Sequence, residues 1–196
     1  MTRTKQFDPE ERLDRAVSAF WENGFESLGV QQLCEAMDLF PGSLYAAFGG
    51  KRELFLKAVD RYMATHSTQA VALLNHEASG LEAIRAYFGR LIDEIETGNR
   101  KWGCLITNAI IELARSDDDV RQRVVVHLAR LETAFAGAVS RGQNSGEIVP
   151  GPALDHAAYL ACLVQGVNVL AKTNPGRPRL EIIVSTGISA LMPQST

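Results

Sequence analysis

The sequence predicts an all-α fold of about nine helices, and three features of its 196 residues favour that class. Apolar residues recur three and four positions apart, which is the spacing of one helix face. Runs of alternating β-branched residues, which would indicate strands, are absent. Recognisable helix starts and stops divide the chain, with Gly or Pro at most of the breaks. A chain of this length buries about 70% of its unfolded surface, so it can form a core without disulfides or metals.

The first helix has the clearest start, because Asp8 can accept from free backbone N–H groups and Pro9 suits the first helical position. Asn23-Gly24 ends this helix. The later helices are predicted at about 30–37, 41–48, 51–74, 81–97, 104–115, 118–142, 152–173 and 179–191. We expect two domains, over residues 1–60 and 61–196, with four short helices at the front and a helical body behind them.

Composition excludes several classes of protein. Apolar residues make up 46% of the chain and charged residues 22%, as in ordinary soluble domains and unlike disordered or collagen-like chains. The start has no apolar segment typical of a signal peptide, and the short, interrupted apolar stretches predict no membrane span. Three widely spaced cysteines without a CxxC pair suit a reducing cytoplasm. They are Cys34, Cys104 and Cys162.

Enzyme and cofactor signals are missing from the sequence. No GxSxG, HExxH, P-loop or GxGxxG motif occurs, and the four histidines are scattered, so we expect neither catalysis nor a cofactor. The run Asp117-Asp118-Asp119 is acidic enough for a cation, but its place before a helix favours an N-terminal cap. A small helical enzyme therefore has no recognisable constellation of residues to support it.

The helices at 30–37 and 41–48 are joined by a three-residue turn, the arrangement of a helix-turn-helix. In that motif the second helix enters the major groove of DNA with its N-terminal residues toward the bases. Here that helix begins with Pro41, Gly42 and Ser43, which allow close approach. An ordinary αα-hairpin has the same pattern, and residues 1–60 hold seven basic against ten acidic side chains, which does not favour DNA.

A distinctive residue pattern runs through the front of the chain in four segments. They are Gly24-Phe25-Glu26, Val30-Gln31-Gln32-Leu33, Glu35-Ala36-Met37 and Gly42-Ser43-Leu44-Tyr45-Ala46-Ala47-Phe48-Gly49-Gly50-Lys51-Arg52-Glu53-Leu54-Phe55. Over residues 8–62 the chain closely resembles the N-terminal domain of the TetR family of transcriptional regulators. The resemblance implies a one-component repressor whose dimer binds near-palindromic double-stranded operator DNA and is released by a ligand.

The sequence departs from the family pattern in three respects. Leu28 and Gly29 stand where the family usually has Thr or Ser, so the second helix is expected to have a plainer cap. Phe40 takes the usual Ser position before the recognition helix, and Pro41 takes a position often held by Lys or Arg. The residues we expect to contact DNA are Arg3, Lys5, Gln31, Pro41, Gly42, Ser43, Tyr45, Ala46 and Lys51.

The body is expected to bind an effector and to form a homodimer. By the resemblance, the last two helices pair with their copies, and the helix at 152–173 is apolar over much of its circumference, as such pairing requires. Burial within one subunit is the alternative. The segment Trp102-Gly103-Cys104-Leu105 is similar to the start of the sixth helix in a TetR subgroup. In this chain Cys104 is expected to be either a sensor of oxidants and electrophiles or a small buried residue.

The effector itself is an unknown small molecule, and the apolar run at 124–135 favours an apolar or aromatic one. A helical carrier or interaction protein that has lost DNA binding is the alternative function, supported by the acidic front and by Phe40 and Pro41. The residues we expect to line the effector cavity are Phe88, Leu91, Cys104, Asn108, Ile111, His127, Leu131, Tyr159 and Gln165.

Overall fold

The protein is described here from a computed structural model that covers residues 7–76 and 79–193. Within these ranges the chain forms α-helices and no strand, which confirms the predicted all-α class. The helices are α1 (Pro9–Asn23), α2 (Val30–Met37), α3 (Pro41–Phe48), α4 (Lys51–Tyr62), α5 (Thr68–His76), α6 (Gly80–Glu96), α7 (Leu105–Glu112), α8 (Asp118–Asn144), α9 (Ala153–Ala171) and α10 (Arg177–Ser189).

The predicted long helix at 51–74 is interrupted by a π-helical turn at Met63–Ser67, which joins α4 to α5. The Thr65 hydroxyl donates to the Arg61 carbonyl at 2.9 Å, and the Thr68 hydroxyl donates to the Met63 carbonyl at 3.1 Å. These bonds partner carbonyls in and before the widened turn. Because α4 and α5 are continuous through the π turn, they count as one helix. The described residues therefore form about nine helices, as the sequence predicts.

Most of the predicted helix starts are made as expected. The Asp8 carboxylate accepts from the Glu10 N–H at 2.9 Å, and the Asp117 carboxylate accepts from the N–H groups of Asp119 and Val120. The plainer cap of α2 is compensated by Gln32, whose side-chain oxygen accepts from the Gly29 N–H at 2.8 Å. The recognition helix α3 has no side-chain cap at all.

Two apolar clusters form the core. The front cluster joins α1–α4 to α7 and the first turns of α8, and Phe20 packs edge-on against Phe55 at its centre. The body cluster joins α5, α6, α9, α10 and the rest of α8, with Phe88 stacked on Phe135. Helix α7 therefore shares a core with α1–α4 although it lies far along the chain.

Helix α9 has one open apolar side. By length and composition it could cross a membrane, and 33% of its most apolar window is buried in this structure. The same properties are found in core and interface helices of soluble proteins. Its inner side packs on α8 and α10. The exposed large apolar side chains of α9 and α10 are Leu154, Tyr159, Val169, Leu170 and Ile182.

Candidate DNA-binding surface and effector groove

Helix α3 holds an exposed face whose N-terminal part is made of small residues. Pro41, Gly42 and Ala46 are exposed, and no atom lies within 4 Å of the place a Gly42 side chain would occupy. Tyr45 is 54% exposed on the same helix, whereas Leu44 and Phe48 on the opposite side are buried in the front core. The helix is therefore anchored on one side and open on the other, as a recognition helix must be.

Lys51 extends this surface at the first turn of α4. Its ammonium lies over the Phe25 ring, 4.3 Å from the ring centroid, and the residue is half-buried. The cation–π contact limits the positions of a flexible side chain beside a helix N-terminus, where free N–H groups favour a phosphate. Ser43 is half-buried in α3, and Gln31 is exposed on α2. Arg3 and Lys5, the other two predicted DNA contacts, lie outside the described residues.

A groove of about 620 Å³ lies between the π turn, α5 and α8. We call it the π-turn groove. Its lining is mostly apolar, with polar groups at the edges. It is lined by Met63, Ser67, Thr68, Val71, Asn75, Val126, His127, Ala129, Arg130, Thr133 and Ala134. π-helical turns are common at functional sites, and here the turn at Met63–Ser67 forms one wall of the groove.

His127 is a half-buried polar side chain in the lining of this groove. Burial, together with the neighbouring positive charges of Arg130 and Arg100, lowers the pKa of His127 to about 4. The imidazole is therefore neutral at pH 7 and can both donate and accept a hydrogen bond. A ligand in the groove would meet a preformed polar group in an apolar wall.

The structure brings only one of the predicted effector residues, His127, to the π-turn groove. Phe88, Leu91 and Leu131 are buried in the body core, where α6 packs against α8. Ile111, expected to line a cavity, is instead 64% exposed, because it lies on the outer face of α7.

Tyr159 and the remaining polar candidates also lie away from the groove. Tyr159 is 43% exposed, and its hydroxyl lies against Gly187 of α10, so it belongs to the α9–α10 surface. Gln165 accepts a hydrogen bond from the Thr107 hydroxyl at 2.7 Å and so ties α9 to α7. Asn108 is buried and donates to the Trp102 carbonyl at 3.2 Å.

Cys104 lies at the N-cap of α7 and is 7% exposed. The Tyr62 hydroxyl donates to its sulfur at 3.6 Å, and burial raises the pKa of Tyr62. Arg100, buried beside Glu94, is the nearby positive charge. The thiol therefore lies in the apolar front core where α4 meets α7, with the Tyr62 hydroxyl as its polar contact. Cys34 is buried in the front core, and Cys162 is exposed on α9.

Polar contacts tie the DNA-binding helices to α7 and α8. Arg52 of α4 donates two hydrogen bonds to the Asp117 carboxylate, at 2.6 and 2.9 Å, and a third to Asp119. Arg123 of α8 pairs with Asp60 at 2.9 Å. Because the same α8 lines the π-turn groove further along, a shift of α8 would be felt at the first turn of α4.

The carboxylate of Glu112, at the end of α7, makes a second link. It accepts from the Phe25 N–H at 2.7 Å in the loop after α1. Trp21 of α1 donates its indole N–H to the Gly103 carbonyl at 3.0 Å. The sequence alone gives no signal for Glu112 or Arg52 as linking residues, since their partners lie far away along the chain.

Comparison with known proteins agrees with this arrangement. Residues 13–58 match the family model described as bacterial regulatory proteins of the tetR family, and residues 80–180 match the tetracyclin repressor-like C-terminal domain. The chain is 30% identical over 194 residues to the HTH-type transcriptional regulator YezE of Bacillus subtilis, covering 97% of this chain and 100% of that protein. It is 28% identical to the HTH-type transcriptional repressor ComR of Escherichia coli, covering 94% and 89%.

A solved structure shares the whole fold. It is a cysteine mutant of the TetR family regulator CifR in complex with 26-bp double-strand operator DNA. The two chains superpose with a TM-score of 0.86 at 26% identity, covering 96% of this chain and 99% of that one. A helix-turn-helix in front of a helical body is the architecture of a DNA-binding transcriptional regulator. This chain belongs to the TetR family.

Proposed function

We propose that the protein is a repressor that binds near-palindromic operator DNA as a homodimer and releases it when an effector binds. The observation that carries the proposal is the exposed N-terminal face of α3, with Lys51 fixed beside it. The similar chain of CifR has been solved on operator DNA. The protein need not be basic overall, because two recognition helices that fit successive grooves can supply the necessary contacts. The carrier without DNA binding is the disfavoured alternative.

The exposed apolar side of α9 and α10 supports a homodimer. Leu154, Val169 and Ile182 are between 45% and 67% exposed, which is unusual for large aliphatic residues unless another surface covers them. A second copy related by a twofold axis would bury the same residues on both partners. A DNA-bound regulator of this kind acts in the cytoplasm, and we infer that location.

The π-turn groove is the site we infer for the effector. Its apolar walls favour an apolar or aromatic body, neutral His127 offers a hydrogen bond, and exposed Arg130 suits an acidic group. A ligand between α5 and α8 shifts the population toward a dimer in which the two walls are held at a different distance. Since α8 is tied to α4 through Arg52 and Asp117, the recognition helices change their separation. Successive major grooves lie about 34 Å apart, so a change of a few ångströms prevents binding.

Cys104 supports a second kind of effector, an oxidant or electrophile. The thiol touches Tyr62 of α4 and begins α7, so a bulky adduct on sulfur would displace the contact between these helices. The same burial that makes such a change effective also restricts access, and a packing role is the alternative.

Filling the π-turn groove tests the effector site. Val126 is 42% exposed at the groove, so Val126→Trp places a large ring there without a change in the core. We expect 8-anilinonaphthalene-1-sulfonate, an apolar anionic dye, to fluoresce with the native protein and to lose most of that signal with this variant. Fluorescence titration at fixed protein concentration measures the difference.

The adjacent residue provides the control for this experiment. Val125 is 57% exposed on the same helix but does not line the groove, so Val125→Trp should leave the dye signal unchanged. Equal loss in both variants, or no loss in either, would show that the dye binds elsewhere and would remove the groove assignment.

A further inference from the structure

Phe40 is the most exposed large apolar side chain in the described ranges, at 83%. It stands at the N-cap of α3, between half-buried Leu39 and exposed Pro41. Its backbone carbonyl accepts from the N–H groups of Ser43 and Leu44 at 2.9 and 3.1 Å, so the position of the residue is fixed while its ring projects freely. The exposed ring is held by the first turn of the recognition helix.

This residue breaks two local rules at once. An N-cap favours Ser, Thr, Asp or Asn, whose oxygen partners a free N–H group, and Phe40 supplies none. Because the Phe40 ring is exposed to water, it also contributes no hydrophobic stabilisation to the fold. Sequence choices that cost stability without a local gain are expected at functional sites. The cost points to a surface that meets Phe40 only in a complex.

We infer that Phe40 selects thymine in the operator by packing its ring against the thymine C5-methyl group. This inference rests on the proposed operator binding. The N-terminal residues of a recognition helix face the base edges of the major groove, where thymine alone among the four bases presents a methyl group. Pro41 and Gly42, which follow Phe40 directly, have no hydrogen-bonding side chain, so Phe40 and its neighbours offer a base edge apolar contact.

A duplex with and without the methyl group tests the contact. Duplexes are first selected from a random library by the full-length protein. In the selected sequence each thymine is then replaced by deoxyuridine, which lacks only the methyl. Burial of one methyl-sized group corresponds to about fourfold in affinity, so loss at both half-sites should weaken native binding about fifteenfold.

Phe40→Ser should bind the thymine and deoxyuridine duplexes equally. This variant is expected to fold at least as well as the native protein, because serine supplies the missing cap oxygen, and a thermal melt verifies it. Tyr45→Phe is the comparison variant: because Tyr45 is itself an expected DNA contact, this change should weaken binding to both duplexes alike and retain the full methyl effect.

Equal native affinity for every thymine and deoxyuridine pair would overturn the inference, as would a methyl effect that persists in Phe40→Ser. Either result leaves operator binding itself intact. Failure to enrich any duplex would instead overturn the proposed function, and the inference with it. A methyl effect seen in the native protein and in Tyr45→Phe but lost in Phe40→Ser would establish the contact.

Discussion

Replacement of Gly80 by alanine is expected to lower the free energy of unfolding by about 3 kcal/mol, because the new methyl group meets backbone rather than flexible side chains. A Cβ at Gly80 would overlap the carbonyl oxygen of Ala138 and the amide nitrogen of Gly142. The start of α6 would have to move away from α8, and the buried contacts beside it would loosen. Urea unfolding followed by circular dichroism measures the loss.

Gly89 offers a matched control on the same helix. No atom lies within 4 Å of its missing side chain, so Gly89→Ala should stabilise the protein by about 0.5–1 kcal/mol through helix propensity. If Gly80→Ala were as stable as Gly89→Ala, the close approach of α6 to α8 described here would be wrong.

Lys51→Ala should weaken operator binding at least tenfold and lower its dependence on salt. If each Lys51 neutralises one phosphate per half-site, the slope of log affinity against log salt should fall by about 1.8 for a dimer. The loss should be largely independent of operator sequence, since a phosphate contact positions the protein without reading bases. Fluorescence anisotropy titrations at several salt concentrations measure both quantities.

Lys57→Ala is the comparison variant for Lys51. Lys57 is exposed two turns further along α4, with its ammonium 5.5 Å from the centroid of the Phe48 ring. It is distant from the helix N-terminus, and its removal should leave the salt slope nearly unchanged. Equal slopes for native protein and Lys51→Ala would remove Lys51 from the DNA surface.

The sequence predicts the helices well because their signals are local. Asp8 and Asp117 mark helix starts because their carboxylates accept hydrogen bonds from nearby backbone N–H groups, and the structure contains those bonds. Asn23-Gly24 marks a helix end, and α1 ends at Asn23. The π turn at Met63–Ser67 escapes prediction because a single extra residue hardly alters the apolar spacing.

The effector site is less predictable because a cavity depends on how helices meet. Periodicity indicates that Phe88 and Leu131 face inward, but it does not distinguish a closed core from a void, and both lie in closed core. The partners of Glu112 and Arg52 are 87 and 65 positions away, beyond any local pattern. Among the predicted polar residues, His127 lies in the apolar run at 124–135, and it lines the π-turn groove.

The central claim, a repressor dimer whose hold on DNA depends on its body, is tested most directly by one titration. Purified protein is titrated against a labelled duplex of its own upstream DNA, with unlabelled random DNA as competitor, before and after a mild oxidant. We expect two chains per duplex and tight binding that resists the competitor. If Cys104 is the sensor, the oxidant releases the native protein but not Cys104→Ser. Binding that the random competitor abolishes, or its absence even at low salt, would contradict the claim.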